Sequence, residues 1–155
     1  EGGRRGTARK VMRCLGLDLG SRRIGVALCD PDERVATPLT VVERSASRVH
    51  DHANIARLVA EYEVQTVVVG LPLNMSGKVT AAAKSAMAET EELRRALDVP
   101  VLLHDERLTT VTADRSLMEM EMKADARRRV VDKVAAAVML QAFLDHRRNE
   151  RRMEA

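Results

Sequence analysis

The chain has 155 residues, a formal net charge of +3, 45% hydrophobic and 32% charged residues, two cysteines, one tyrosine, one phenylalanine and no tryptophan. That length suits a single domain that buries about two thirds of the surface of its unfolded chain, and two cysteines outside any metal-ligand spacing leave no disulfide framework or zinc site to read. No apolar run has the length of a membrane span, and the scarcity of aromatic rings argues against a reader of single strands that stacks bases on aromatic platforms.

The opening EGGRRGTARK has no apolar stretch of the signal-peptide kind, so a cytoplasmic protein is expected, with residues 1–12 a disordered basic lead, 13–148 one domain and 149–155 a disordered tail. Arg13 to Gly20 and Ile24 to Cys29 read as two strands joined by a tight turn. Val35 to Val42, interrupted by Pro38, reads as an edge strand. Ser47 to Tyr62 carries Val49, Ala53, Ala56, Leu58 and Val59 at helical spacing, and TVVVGLP from Thr66 is a continuous apolar run of the kind buried on both faces of a sheet. A loop LNMSGK, a helix over Thr80 to Leu97, a fifth strand in VPVLLHDE, and helices over about Val111 to Met120 and Arg127 to Arg147 complete the chain. This order predicts an α/β fold, a mixed five-stranded sheet with helices on both faces.

Three carboxylates stand where apolar side chains belong. Asp18 interrupts the first strand; an Asp before Gly is common in turns, yet the apolar run continues to Leu19, and an unpaired charge at sheet level costs several kcal/mol. The last strand runs into Asp105 and Glu106, at the carboxyl end where such sheets place ligands; alternation sets His104 and Glu106 on one face, Leu103 and Asp105 on the other, and Asp105 or Glu106 either pairs with Arg107 or supplies a second carboxylate beside Asp18. Asp132 falls on the helical stripe Asp132, Ala135, Ala136, Met139, Phe143, or at its exposed margin beside Arg128 or Arg129. The alanines of that stripe let the helix approach the sheet and bring Asp132 towards the strand carboxylates. Three converging carboxylates repel one another unless cations occupy the site, and oxygen-only donors suit Mg²⁺ or Mn²⁺, two of which serve phosphodiester cleavage. The pattern proposes a metal-dependent nuclease with Asp18, Asp132 and a carboxylate from the end of the fifth strand as ligands.

Together GLDLGSRRIGVALCDP, VVVGLPLNMSG, DERLTT and VVDKVAAAVMLQAFL resemble the YqgF or RuvX-like family over nearly the whole chain from Leu15 to about His146. The resemblance implies an RNase H-like fold with the first three strands antiparallel and the acidic triad Asp18, Glu106 and Asp132 as catalytic metal ligands. It also implies processing of the 5′ end of pre-16S rRNA in ribosome biogenesis, with Holliday-junction resolution in recombination and repair as the competing role. The loop SGKVTAAAKSA departs from the family in lacking an acidic residue after the Asn-Met pair, and MEMEMKADARRR is less basic than the matching family segment.

Around the triad, Arg22 and Arg23 in the first turn, and Arg128 and Arg129 ahead of Asp132, are candidate phosphate contacts or ordinary exposed arginines. Asn74 touches substrate or holds its own loop; Arg107 binds phosphate or orients Glu106; Thr109 and Thr110 cap the next helix; His104 is a satisfied histidine flanking the site. DLGSRRIGVAL is also similar to the first phosphate loop of actin-like ATPases and sugar kinases, but those need a second such domain and loop, which this chain lacks. A binder of structured nucleic acid that does not cut is the remaining alternative; it gains nothing from three carboxylates facing phosphate. A partner of RNA or branched DNA, no membrane, and a monomer or homodimer are expected.

Overall fold

The computed structural model describes residues 13–73, 76–108 and 124–154. Strands β1 (Cys14–Leu19), β2 (Arg23–Cys29), β3 (Ala36–Glu43), β4 (Thr66–Leu71) and β5 (Val101–Asp105) form one sheet in the order β3-β2-β1-β4-β5. The first three are antiparallel neighbours, and β4 and β5 join parallel, so the sheet is mixed as predicted. Pro38 lies in β3, at the edge of this sheet and opposite Ala27 where the β2–β3 register shifts, the kind of position in which a sheet accommodates proline.

Side-chain alternation sorts the sheet into two faces. Leu15, Leu17, Ile24, Val26, Val67, Val69 and Val101 point to one side and pack with Ile55 of α1 (Arg48–Glu61) and Leu93 of α2 (Ala81–Ala96). Cys14, Ala27, Cys29 and Val68 point to the other and pack with Ala136, Ala137, Met139, Leu140 and Leu144 of α3 (Ala124–Glu154). Ser47 and Thr80 start α1 and α2 by accepting hydrogen bonds from the amides of His50 and Ala83. Both cysteines are buried thiols on adjacent strands, with the Cys14 amide donating to Cys29 Sγ at 2.9 Å.

Helix α3 continues to Glu154, past Arg147 and through residues 149–154, which the sequence suggested as a tail. The extension has partners in the β2–β3 loop. Buried Glu33 lies 3.9 Å from Arg147 and 3.5 Å from Arg151, and Gln141 bridges the Ala36 amide and the Arg34 carbonyl. The helix expected over Val111 to Met120, together with Thr109 and Thr110, lies outside the described residues. Among the described residues no helix is long and apolar enough to cross a membrane.

Candidate active site

Asp18 sits half-buried near the end of β1, on the face that α3 covers. It has a glycine beside it on each neighbouring strand. Gly25 of β2 is its register partner, and Gly70 of β4 lies one residue beyond the Leu17–Val69 pair. Each glycine makes room for part of one of the other two acidic residues.

At Gly25 the room is taken by helix backbone. A Cβ there would lie 2.0 Å from the Asp132 carbonyl oxygen and 2.6 Å from its carbon, so α3 rests directly on the strand. Two residues before Asp18 on the same face, Gly16 meets Leu140 in the same way, with Cβ to Cβ at 2.9 Å. Ala135 and Ala136 supply the helix side of this approach, as the alanine stripe predicts, and glycines supply the sheet side. The consequence is that α3 sets the half-buried Asp132 over the strand partner of Asp18.

At Gly70 the room is taken by a side chain. A Cβ there would lie 3.1 Å from both Cγ and Cδ of Glu106, which follows β5 in a single 3-10 turn (Glu106–Leu108). Glu106 thus lies across β4, on the Asp18 side of β5. The three acidic residues therefore come from a strand, a strand end and a helix, with the Glu106 side chain at Gly70 and the Asp132 backbone at Gly25. Among the described residues no three acidic, histidine or cysteine side chains are already closed into a metal-holding group. The donor chemistry nonetheless fits a hard divalent cation, since all three side chains present carboxylate oxygen.

Arginines surround this point. Arg22 is exposed and Arg23 half-buried; with Gly20, Ser21 and Asp132 they line an open pocket of about 410 Å³. Arg23 reaches Glu43 at 3.4 Å and Asp132 at 3.9 Å, and exposed Arg129 reaches the same Glu43 oxygen at 3.4 Å. Arg129 also lines a neighbouring pocket with Lys133 and residues of β3. Arg107 bonds Asp105 through its backbone amide at 2.9 Å and its Nε at 2.9 Å, and that pairing holds the Asp105 carboxyl below its ordinary range. Its Nη1 lies against Gly77, where a Cβ would come within 2.9 Å, and Gly77 has a φ of 83°. Arg107 is therefore anchored between β5 and the loop that follows β4.

His104 is buried, its ring 6.1 Å from Phe143 in an edge-to-face contact at 89°. Burial first, then His146, push its imidazole below the ordinary value, as suits a neutral core histidine. Asn74 and the Arg128 side chain lie outside the described residues. Two features escaped the sequence reading. Gly25 and Gly70 carried a signal, since a glycine inside a strand marks close approach of another group. The contacts of Arg44 with α2, treated below, carried none, because they join residues 45 apart in the chain.

The sequence profile described as RuvX, Holliday junction resolvase, matches residues 12–146. A relative from Anaeromyxobacter bearing the name "Putative pre-16S rRNA nuclease" is 54% identical over 136 residues, 88% of this chain and 98% of that relative. One of the same name from Roseiflexus is 43% identical, with 88% and 96% covered. Among solved structures, Thermus thermophilus RuvC in complex with a Holliday junction substrate is similar at a TM-score of 0.52 and 19% identity, covering 89% of this chain and 96% of that one. At that identity the likeness concerns the fold, and it agrees with the RNase H-like architecture the sequence implies. With a family profile spanning nearly all of its sheet and helices, and relatives of similar length at up to 54% identity, the chain belongs to the RuvX family.

Proposed function

We propose that this protein is a metal-dependent phosphodiester hydrolase that acts on structured nucleic acid in the cytoplasm through one domain spanning 13–148, and that its task is to process the 5′ end of pre-16S rRNA. The observation that carries the reading is the pair of glycines beside Asp18, one opening space for Glu106 and the other for the backbone of Asp132. Gly70 gives up strand packing to admit the Glu106 carboxyl group, and Gly25 gives it up to admit the stretch of α3 backbone that carries Asp132.

Asp18, fixed in the central strand, is the shared ligand, with Glu106 and Asp132 on either side of it. Carboxylates brought together repel one another, and a divalent cation bound among them would relieve that repulsion. Asp18, Glu106 and Asp132 would hold Mg²⁺ or Mn²⁺, which would supply activation of the attacking water and charge stabilisation of the leaving 3′ oxygen in an in-line displacement. Arg22 and Arg129 offer exposed donors to phosphates flanking the scissile bond, and Arg23 couples its own phosphate contact to the orientation of Asp132. The Asp105 pairing aims Arg107 at the loop after β4, which carries Asn74.

Holliday-junction resolution is the second reading, favoured by the family description and by the junction-bound RuvC of similar fold. It asks for paired sites and hence a homodimer, whereas trimming one rRNA end needs only a monomer. Cleavage of a labelled pre-16S 5′-leader RNA and a four-way DNA junction, with Mg²⁺ or Mn²⁺ and with EDTA, decides between them. Metal-dependent cutting of the RNA, lost in Asp18→Asn, supports the first reading; cutting of the junction supports the second. Binding of both without cutting leaves a non-catalytic nucleic-acid binder.

A further inference from the structure

A second dense group of ionised side chains lies on the opposite face of the sheet. Glu89 occupies the buried stripe of α2 alongside Ala83, Ala86, Thr90 and Leu93, and is 2% exposed. Its carboxylate accepts from Arg44 Nη1 at 2.9 Å and Nη2 at 2.8 Å, lies 2.7 Å from Nε2 of buried His52 on α1, and is 4.0 Å from Arg48 Nε. Burial works against its charge, but the bonds from Arg44 and His52 outweigh burial and hold its carboxyl below the ordinary value.

Stability alone gives no reason for this group, since apolar residues of similar volume commonly replace a buried ion pair at no loss. Its other contacts do. Arg44 Nε donates to the Gly20 carbonyl at 2.7 Å, and its backbone amide donates to the Arg22 carbonyl at 2.9 Å. The Gly20 amide in turn bonds the carbonyls of Asp18 at 3.1 Å and Arg23 at 2.9 Å. Arg44 therefore grips the turn from Asp18 to Arg23 at two carbonyls, while its guanidinium fork is seated on α2.

We propose that Glu89 is a positioning residue for the candidate active site: clamped between α1 and α2 by His52, it fixes the Arg44 fork, and Arg44 fixes the turn that presents Arg22 to a substrate phosphate beside Asp18. The proposal rests on the nuclease reading above and names a specific control on it. Substrate still reaches a loosened turn, but the geometry that cleavage requires is then rarely met, so kcat suffers more than KM.

The test compares wild type, Arg44→Met, Glu89→Leu and the double variant by thermal midpoint, by kcat and KM, and by hydrogen exchange of the peptides covering 19–25 and 64–70. Each single variant strands a buried charge, and its midpoint falls by on the order of 10 °C. In the double variant no charge is stranded and the midpoint returns to within about 3 °C of wild type. In all three, kcat falls about tenfold or more while KM stays within about threefold, and exchange rises in 19–25 but not in 64–70. Recovery of kcat together with the midpoint in the double variant overturns the proposal, as does unchanged exchange in 19–25. If the double variant does not regain its midpoint, Arg44→Lys, which keeps the charge facing Glu89 but loses the fork, carries the same kcat and exchange comparison. Absence of cleavage by wild type defeats the nuclease reading instead, and the exchange result then decides alone whether Glu89 holds the turn.

Discussion

Gly25 and Gly70 flank the same aspartate but tolerate a methyl group very differently. At Gly25 the added carbon meets the Asp132 carbonyl at 2.0 Å, and a helix backbone cannot yield that distance without moving as a whole. Gly25→Ala should therefore cost about 1–3 kcal/mol or more in denaturant unfolding, with α3 displaced. At Gly70 the nearest atoms belong to the Glu106 side chain at 3.1 Å, which yields by a few tenths of an ångström. Gly70→Ala should leave the unfolding midpoint nearly unchanged while lowering cleavage by about 10–100-fold, the range that loss of an outer partner costs a metal site. Equal loss of stability in both variants would contradict this account of Glu106. Glu89 gives a residue-scale pH prediction. Its folded carboxyl titrates below the ordinary 4.5, so its contribution to stability is present above that pH and is lost as the pH falls through the lower folded value. The difference in thermal midpoint between wild type and Glu89→Gln should therefore narrow steadily below pH 4.5. A gap that stays constant down to acid unfolding would contradict it.

Among the elements, α3 decides whether the site forms at all. It is anchored at Gly16 by Leu140, at Gly25 by its own backbone, and at the β2–β3 loop by Gln141 and the arginines around Glu33. Leu140 is fully buried, so Leu140→Ala should destabilise by about 2–5 kcal/mol in denaturant titration, yet leave cleavage near wild type below the midpoint because the Gly25 contact remains. Strand periodicity and apolar runs made all five strands legible in the sequence, and Asp18 stood out as a charge inside an otherwise apolar strand. The helical stripe likewise drew attention to Asp132, which lies half-buried where α3 meets Gly25. What could not be read was the depth of the approach between α3 and the sheet, since two glycines on different strands face two different stretches of one helix. The bonds of Arg44 to α2 and to the first turn were equally hidden: they depend on how β3 ends against α1 and α2, which no local pattern encodes. The end of α3 was read too early because charged residues after Arg147 look solvent-bound until Glu33 is brought against them.

For the whole molecule, the modest net charge of +3 matters less than its placement around the triad. Affinity for nucleic acid should fall with salt, and Arg22→Ala and Arg129→Ala should each reduce the slope of log K against log salt by about 0.7–0.9. Slopes identical to wild type would remove both residues from the phosphate path. The account as a whole stands on three carboxylates from three elements acting as one cation site. Its most direct test is calorimetric titration of Mn²⁺ into wild type, Asp18→Asn, Glu106→Gln and Asp132→Asn. Saturable binding in wild type that weakens by more than about tenfold in each of the three variants is the predicted result. Binding that survives unchanged in any one of them would remove that residue from the site and contradict the account.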